Sequence, residues 1–234
     1  MTTSPTLSRT TTELGRHVAD GLRRTPKTLS SMYFYDDEGS RLFQQIMELP
    51  EYYPTRAEFS IFREHGAALA AALSSPAGEA FSLVELGAGD GAKTKLLLRE
   101  LLQAGTRFTY APVDISEGAM TGLVQALQEE LPELRVAPMV SDYATALTQL
   151  RTRPGSKAVL FLGSNIGNFH PEDRLNFLRQ AAAPLGPTDR LLIGFDLQKD
   201  PRRIRAAYDD AQGVTAAFNL NLLTRLNREP GRRF

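Results

Sequence analysis

The stretch from Phe81 to Leu98 constrains this chain more than any other. An apolar run of strand length, Phe81-Ser82-Leu83-Val84-Glu85-Leu86, runs into Gly87, Gly89 and Gly91, and Lys93-Thr94-Lys95-Leu96-Leu97-Leu98 then takes up a helical rhythm. The pattern predicts a strand over Leu83–Leu86, a tight turn, and a helix over Ala92–Leu102. A residue without Cβ lets the backbone adopt positive φ and approach a ligand closely. The N–H groups at the start of the helix favour a carboxylate or phosphate in front of them. The turn is therefore expected to hold a small anionic or zwitterionic molecule.

Two cofactors use such a turn, and spacing separates them only weakly. Gly87, Gly89 and Ala92 satisfy the dinucleotide pattern G-x-G-x-x-G/A. Glu85, two residues before the first glycine, makes the same text E-x-G-x-G-x-G, which resembles the first motif of Rossmann-like S-adenosylmethionine (SAM) methyltransferases. A strand-to-helix turn with no ligand is the plainer alternative.

Composition narrows the field. Lys+Arg and Asp+Glu both number 27, so no net field gathers nucleic acid or an anionic membrane. The absence of cysteine removes disulfides, thiolate nucleophiles and thiolate zinc sites together. His17, His65 and His170 are far apart in sequence, so no histidine metal site is expected. No segment approaches the ~18 consecutive apolar residues of a membrane span, and Met1–Thr12 lacks the apolar core of a secretory signal. A cytoplasmic protein is expected.

After a tail over 1–12, Leu14, Val18 and Leu22 mark an amphipathic helix that Pro26 stops. A helical stretch with Leu42, Phe43, Ile46 and Leu49 follows, and Pro54 opens a helix running to about Leu73. The connections between these helices hold Tyr33, Tyr35, Tyr52 and Tyr53, four of the seven tyrosines. They either seal a small core or form an aromatic wall, whose ring faces attract ammonium groups; both can hold at once.

From Phe81 onward, strands and helices alternate as in a parallel α/β sheet. Further strands are predicted over Phe108–Asp114, Leu134–Val140, Lys157–Ser164 and Arg190–Phe195, and helices over Ser116–Leu131, Ala144–Leu150 and Pro171–Ala183. One long helical stretch is predicted over Pro201–Arg228. The fold class is thus α/β, a Rossmann-like core over 61–196. Helical parts over 13–60 and 197–234 combine into a substrate-binding region.

Ligands of such sheets lie beyond the carboxyl ends of the strands, which brings Gly87, Asp114, Asp142, Tyr143, Gly163, Ser164, Asn165 and Asn168 to one crevice. Asp114 ends the second strand, where a carboxylate accepts both ribose hydroxyls; capping the next helix is its other role, for which Ser116 is better placed. Asp142 either caps its own helix or accepts from an adenine amino group, with Tyr143 stacking on the ring. Lys93 is either a solvated lysine or the counter-charge for a ligand carboxylate, since a cation in a first helical turn opposes the dipole. The Asn168 amide either orients an amino acid or caps the helix opened by Pro171.

Taken in order, Pro26-Lys27-Thr28-Leu29, Tyr33-Phe34-Tyr35-Asp36, Leu49-Pro50-Glu51-Tyr52-Tyr53-Pro54-Thr55-Arg56, Glu85-Leu86-Gly87-Ala88-Gly89, Phe161-Leu162-Gly163-Ser164-Asn165-Ile166-Gly167-Asn168 and Tyr208 to Asn219 resemble the histidine-specific Nα-methyltransferases. That resemblance covers about Pro26 to Glu229. It implies trimethylation of the α-amino group of L-histidine by SAM, giving hercynine for ergothioneine synthesis. By the same resemblance Gly87, Lys93, Asp114, Asp142 and Tyr143 bind SAM, with Gly89 and Gly163 on the cofactor side. Tyr52, Asn168 and Tyr208 hold histidine, and Tyr35 and Thr215 line that pocket. No protein nucleophile or metal is implied, because alignment of the two reactants drives the transfer. A monomer is expected.

Family members continue for a further stretch that carries substrate-reading residues, and nothing after Glu229 matches it. A truncated chain is therefore expected. Three rivals stand beside the histidine reading: a methyltransferase for another small amine, an NAD-dependent oxidoreductase, and a SAM-binding remnant without activity.

Overall fold

The structure is a computed structural model that describes residues 13–75 and 78–228. The tail expected over 1–12 and the text after Arg228 lie outside the described residues. In chain order the elements are α1 (Glu13–Arg23), α2 (Asp37–Glu48), α3 (Tyr53–Leu73), β1 (Phe81–Leu86), α4 (Thr94–Gln103), β2 (Phe108–Asp114), α5 (Glu117–Glu130) and β3 (Met139–Val140). They continue with α6 (Tyr143–Leu150), β4 (Ser156–Phe161), α7 (Pro171–Ala182), β5 (Arg190–Ile193), α8 (Pro201–Tyr208) and α9 (Val214–Arg228).

The strands form one sheet in the order β3-β2-β1-β4-β5, with every neighbouring pair parallel. Successive side chains of a strand face opposite sides, and β1 shows the consequence. Leu83 packs with Leu97, Leu101 and Leu127 of α4 and α5. Val84 and Leu86 pack on the other face with Leu147 and Leu150 of α6 and Phe177 of α7. Every residue of β1 is buried, as a central parallel strand covered on both sides requires. Strand order reverses beside β1, so the crevice opens between the carboxyl ends of β1 and β4.

The third strand is shorter than the pattern predicts. Tyr110 and Val136 form an isolated bridge, and regular pairing resumes only at Met139. Tyr110 and Asp114 of β2 face this strand, their carbonyls accepting from the Ala137 and Ser141 N–H groups, and Pro112 between them has no N–H to donate, which interrupts the ladder.

A second body of helices is assembled from both flanks of the sheet sequence. Phe218, Leu222 and Leu226 recur at four-residue steps on α9; Phe218 packs with Leu42, Ile46 and Tyr52, and Leu222 and Leu226 pack with Leu14, Val18 and Tyr33. Polar contacts fix the register: the Asn221 amide donates to Asp36 Oδ1 at 2.7 Å and Arg225 donates to the Tyr33 carbonyl at 2.8 Å. Asp36 also caps α2, accepting from the Gly39 N–H at 2.8 Å. The long helix α3 runs unbroken through positions 60 and 61; its first residue packs in the helical cluster and Phe62, Ala70 and Leu73 pack against the sheet.

The single helical stretch expected over 201–228 is two helices. Gly213 takes φ +74, a conformation that L side chains rarely adopt, and Asp210 accepts from the Val214 and Thr215 N–H groups at 3.0 and 2.8 Å. Burial works upward on the Asp210 carboxyl, but the hydrogen bonds from Thr215 and Val214 outweigh it and hold it at about 2. Asp210→Ala leaves two amides at the start of α9 without their acceptor and is expected to lower stability by about 1–2 kcal/mol in urea unfolding. An unchanged midpoint would show that α9 does not depend on this cap.

Candidate active site

The turn after β1 is built by three glycines with different tasks. A Cβ on Gly87 would lie 2.6 Å from the Tyr143 hydroxyl, and one on Gly91 would lie 2.5 Å from Leu123 Cδ1. Gly89 takes φ +55, with no atom of the described residues within 4 Å of the position a Cβ would occupy. Its N–H donates to Asp114 Oδ2 at 2.9 Å, so the turn and the end of β2 are tied together. Glu85, the acid that heads the motif, is buried beneath them: Thr94 Oγ1 donates to it at 2.6 Å and the Tyr110 hydroxyl donates at 2.5 Å. It joins β1 to the start of α4 and to β2.

Asp114 is half-buried at the crevice. Its Oδ1 accepts from the Ser116 N–H at 2.9 Å, while Ser116 Oγ caps α5 by accepting from the Ala119 N–H at 3.1 Å. Capping thus belongs to Ser116, and each Asp114 oxygen, with one N–H bound, has capacity left for a ligand hydroxyl. Asp142 behaves differently. Both its oxygens serve the start of α6, accepting from the Thr145 N–H at 2.9 Å and the Thr145 hydroxyl at 2.8 Å. Of its two expected roles, the cap is the one the structure displays.

Tyr143 is the first residue of α6. Its ring stands edge-on to Phe161 at 5.4 Å and packs near Phe177, so the ring is held by the core and it is the hydroxyl that lies over Gly87. Burial, then the charge of Asp114, raises this hydroxyl well above the ordinary tyrosine value, so it stays protonated.

Lys93 is not a solvated lysine. Its ammonium forms an ion pair with Glu58 of α3, whose other oxygen accepts from the Gly163 N–H at 2.8 Å. The turn after β4 closes the same corner. Ser164 sits in the left-handed region at φ 56, a conformation uncommon for a residue with Cβ, and its Oγ accepts from the Asp196 N–H at 3.0 Å. Asn165 Nδ2 lies 3.6 Å from a Cβ placed on Gly87 and 3.5 Å from one on Gly163, which puts this amide between the two turns. Asn168 is exposed and reaches Asn165 Oδ1 at 3.5 Å. It does not cap α7, whose N-cap is His170.

The tyrosines gather on the helical side. Tyr52 is buried and its ring meets Tyr208 edge-on at 5.8 Å, while Tyr35 meets Phe43 and Phe218, each at 5.6 Å. Burial raises Tyr35 to about 12, helped by Asp114 and then Tyr208; burial raises Tyr52 further, helped by Tyr208, Tyr35 and Glu58. These hydroxyls therefore remain neutral donors at any physiological pH. Thr215 is buried at the first turn of α9. Tyr53, the neighbour of Tyr52, is committed elsewhere: its hydroxyl donates to Asp196 and Lys199 Nζ lies 4.5 Å from its ring centre.

Sequence reasoning missed Glu58. One local signal pointed to it from afar: Gly194 directly follows the β5 run, and glycine there marks close backbone approach. A Cβ on Gly194 would lie 2.5 Å from Glu58 Oε1.

A parallel sheet with a glycine turn after β1, an acid closing β2 and an open crevice between β1 and β4 defines a Rossmann-like α/β protein of the class I methyltransferase type. The open face of Gly89 and the unsaturated Asp114 carboxylate fit a nucleoside ligand. The family model of the SAM-dependent histidine-specific methyltransferases matches residues 14–234, and the chain belongs to this family. It is 43% identical over 216 residues to a histidine N-alpha-methyltransferase of Mycobacterium tuberculosis, covering 92% of this chain and 65% of that one. The corresponding enzyme of Mycolicibacterium smegmatis is 44% identical over the same shares. Ergothioneine biosynthesis protein 1 of Neurospora crassa is 33% identical over 205 residues, 86% of this chain and 23% of that protein. The chain thus spans 65% of the length of its mycobacterial relatives.

Proposed function

We propose that this chain binds SAM across the glycine turn and methylates the α-amino group of L-histidine, forming N,N,N-trimethylhistidine, the first step of ergothioneine synthesis. The observation that carries the reading is the course of α3: its N-cap Tyr52 meets Tyr208 on the helical side, and Glu58 on the same helix binds Lys93 and the Gly163 N–H beside the glycine turn. A nucleoside held at Asp114 and an amino acid held among the tyrosines would meet there. The names of the mycobacterial relatives support histidine as the amine.

When bound, SAM supplies an electrophilic methyl on a sulfonium. The protein's part is alignment, worth several orders of magnitude in rate when two reactants share one orientation. On the cofactor side Gly87, Gly89, Gly163, Lys93, Asp114 and Tyr143 form the cradle, with Asp142 holding α6 in place behind it. On the substrate side Tyr52, Tyr208 and Asn168 orient the amino acid, and Tyr35 and Thr215 border it. Neutral tyrosine rings accept ammonium groups through their faces without needing N–H bonds, so the same wall tolerates one, two or three methyl groups. We infer, as part of the same reading, a cytoplasmic monomer that binds no nucleic acid; the balance of 27 basic and 27 acidic residues supports the last of these.

Incubation with histidine and SAM, with products resolved by mass spectrometry, tests the reading. Mono-, di- and trimethylhistidine are expected in sequence, and Asn168→Ala is expected to abolish them while leaving SAM affinity within about threefold. SAM binding without any methylated histidine, or with methylation of another amine in a substrate panel, would overturn the histidine assignment.

A further inference from the structure

Glu58 joins the two halves of the crevice. It lies on α3, six residues after Tyr52, and its carboxylate is engaged by the Lys93 ammonium on one oxygen and the Gly163 N–H on the other. The pair is sheltered but open on one side, with 18% of the Lys93 side chain and 15% of the Glu58 side chain exposed. Space for it is reserved by Gly194, where any Cβ would collide with Glu58 Oε1 at 2.5 Å.

The pairing changes what the glycine turn accepts. A lone Lys93 beside helix N–H groups would attract any anion, a pyrophosphate included. Glu58 neutralises that charge, takes up the Gly163 N–H and sets a carboxylate at the mouth of the turn. A dianionic pyrophosphate meets repulsion there. A zwitterion does not: its carboxylate finds the remaining N–H groups of Lys93, and its ammonium finds the lone pairs of Glu58 that Lys93 and Gly163 leave free.

We propose that Glu58 and Lys93 act as one two-charge reader for the zwitterionic amino-acid end of the methyl donor, Glu58 taking its ammonium and Lys93 its carboxylate. The inference rests on the methyl-donor reading above and adds to it the residue that separates this donor from a dinucleotide.

Calorimetric binding of three ligands to the full chain tests it: S-adenosylhomocysteine, its desamino analogue, and methylthioadenosine, which has no amino-acid end. The wild-type chain is expected to bind S-adenosylhomocysteine at least about tenfold more tightly than the desamino analogue, the order a hydrogen bond to a charged group supplies. Glu58→Gln, which keeps an acceptor for Gly163, is expected to remove that difference by weakening S-adenosylhomocysteine alone, with methylthioadenosine unchanged within about twofold. Equal loss for all three ligands would make Glu58 a purely structural residue and overturn the proposal, as would a wild-type chain that does not distinguish the desamino analogue. That second comparison needs no variant, so it stands even where Glu58→Gln fails to fold. A wild-type chain that binds NAD and none of the three would overturn the donor reading itself, and this inference with it.

Discussion

Gly39→Ala is expected to lower the melting temperature by about 10 °C and to loosen the tyrosine side of the crevice. A Cβ at this position would lie 1.7 Å from the Phe34 carbonyl oxygen and 2.9 Å from its carbon, both backbone atoms that cannot swing aside. Asp36 Oδ1, which caps α2 and receives the Asn221 amide, is only 3.2 Å away. Relieving the collision moves the 3-10 turn at Ser31–Phe34 off α9 and carries Tyr35 with it. Overpacking of this kind costs about 3 kcal/mol, and in a chain of this length each kcal/mol moves the midpoint by about 2–4 °C. Gly122→Ala is the matched control. Gly122 lies within α5 with no atom of the described residues inside 4 Å of its Cβ position. Alanine there is expected to stabilise by up to about 1 kcal/mol through helix propensity. Equal melting curves for the two variants would show that the close approach at Gly39 is not a constraint.

Stability should also fall as pH rises from 5 to 8, and Glu85→Gln should flatten much of that slope. Burial pushes the Glu85 carboxyl up to about 7 from an ordinary 4.5, against the opposing hydrogen bonds from Thr94 and Tyr110. Its folded value is the higher one, so the folded chain binds the extra proton between these two pH values. Stability is therefore fully retained below the unfolded value and is lost as pH climbs through the folded one, by about 3 kcal/mol in total. An amide cannot ionise, so Glu85→Gln removes this contribution while keeping a hydrogen-bonding group between Thr94 and Tyr110. Urea unfolding of both proteins at pH 5 and pH 8 measures the difference directly. Identical slopes would place the pH dependence elsewhere.

Glu85 also illustrates how a motif letter and a physical role diverge. It marks the E-x-G-x-G-x-G text, yet its carboxylate is buried and touches the first residue of α4 and the middle of β2. The motif records the packing that holds the turn in shape.

What the sequence determined by itself is the local geometry. Apolar spacing, proline and glycine placed β1, the turn, α4, β2 and α5 within a few residues, and the opening Pro54 of α3 was equally legible. These features depend on neighbours within about one helical turn or one strand pleat, which a linear text contains in full. Only the tertiary structure decided the rest. Pro112 on the neighbouring strand shortened the third strand by withholding a ladder donor, Gly213 with Asp210 divided the last helical stretch, and Asp142 used its oxygens on α6. Above all, Lys93 found Glu58 and Asp36 found Asn221 across long separations in the chain. Such partners are chosen by which packed surfaces meet once α3 and α9 have docked, and a carboxylate carries no mark in sequence of the cation or amide that packing will bring to it.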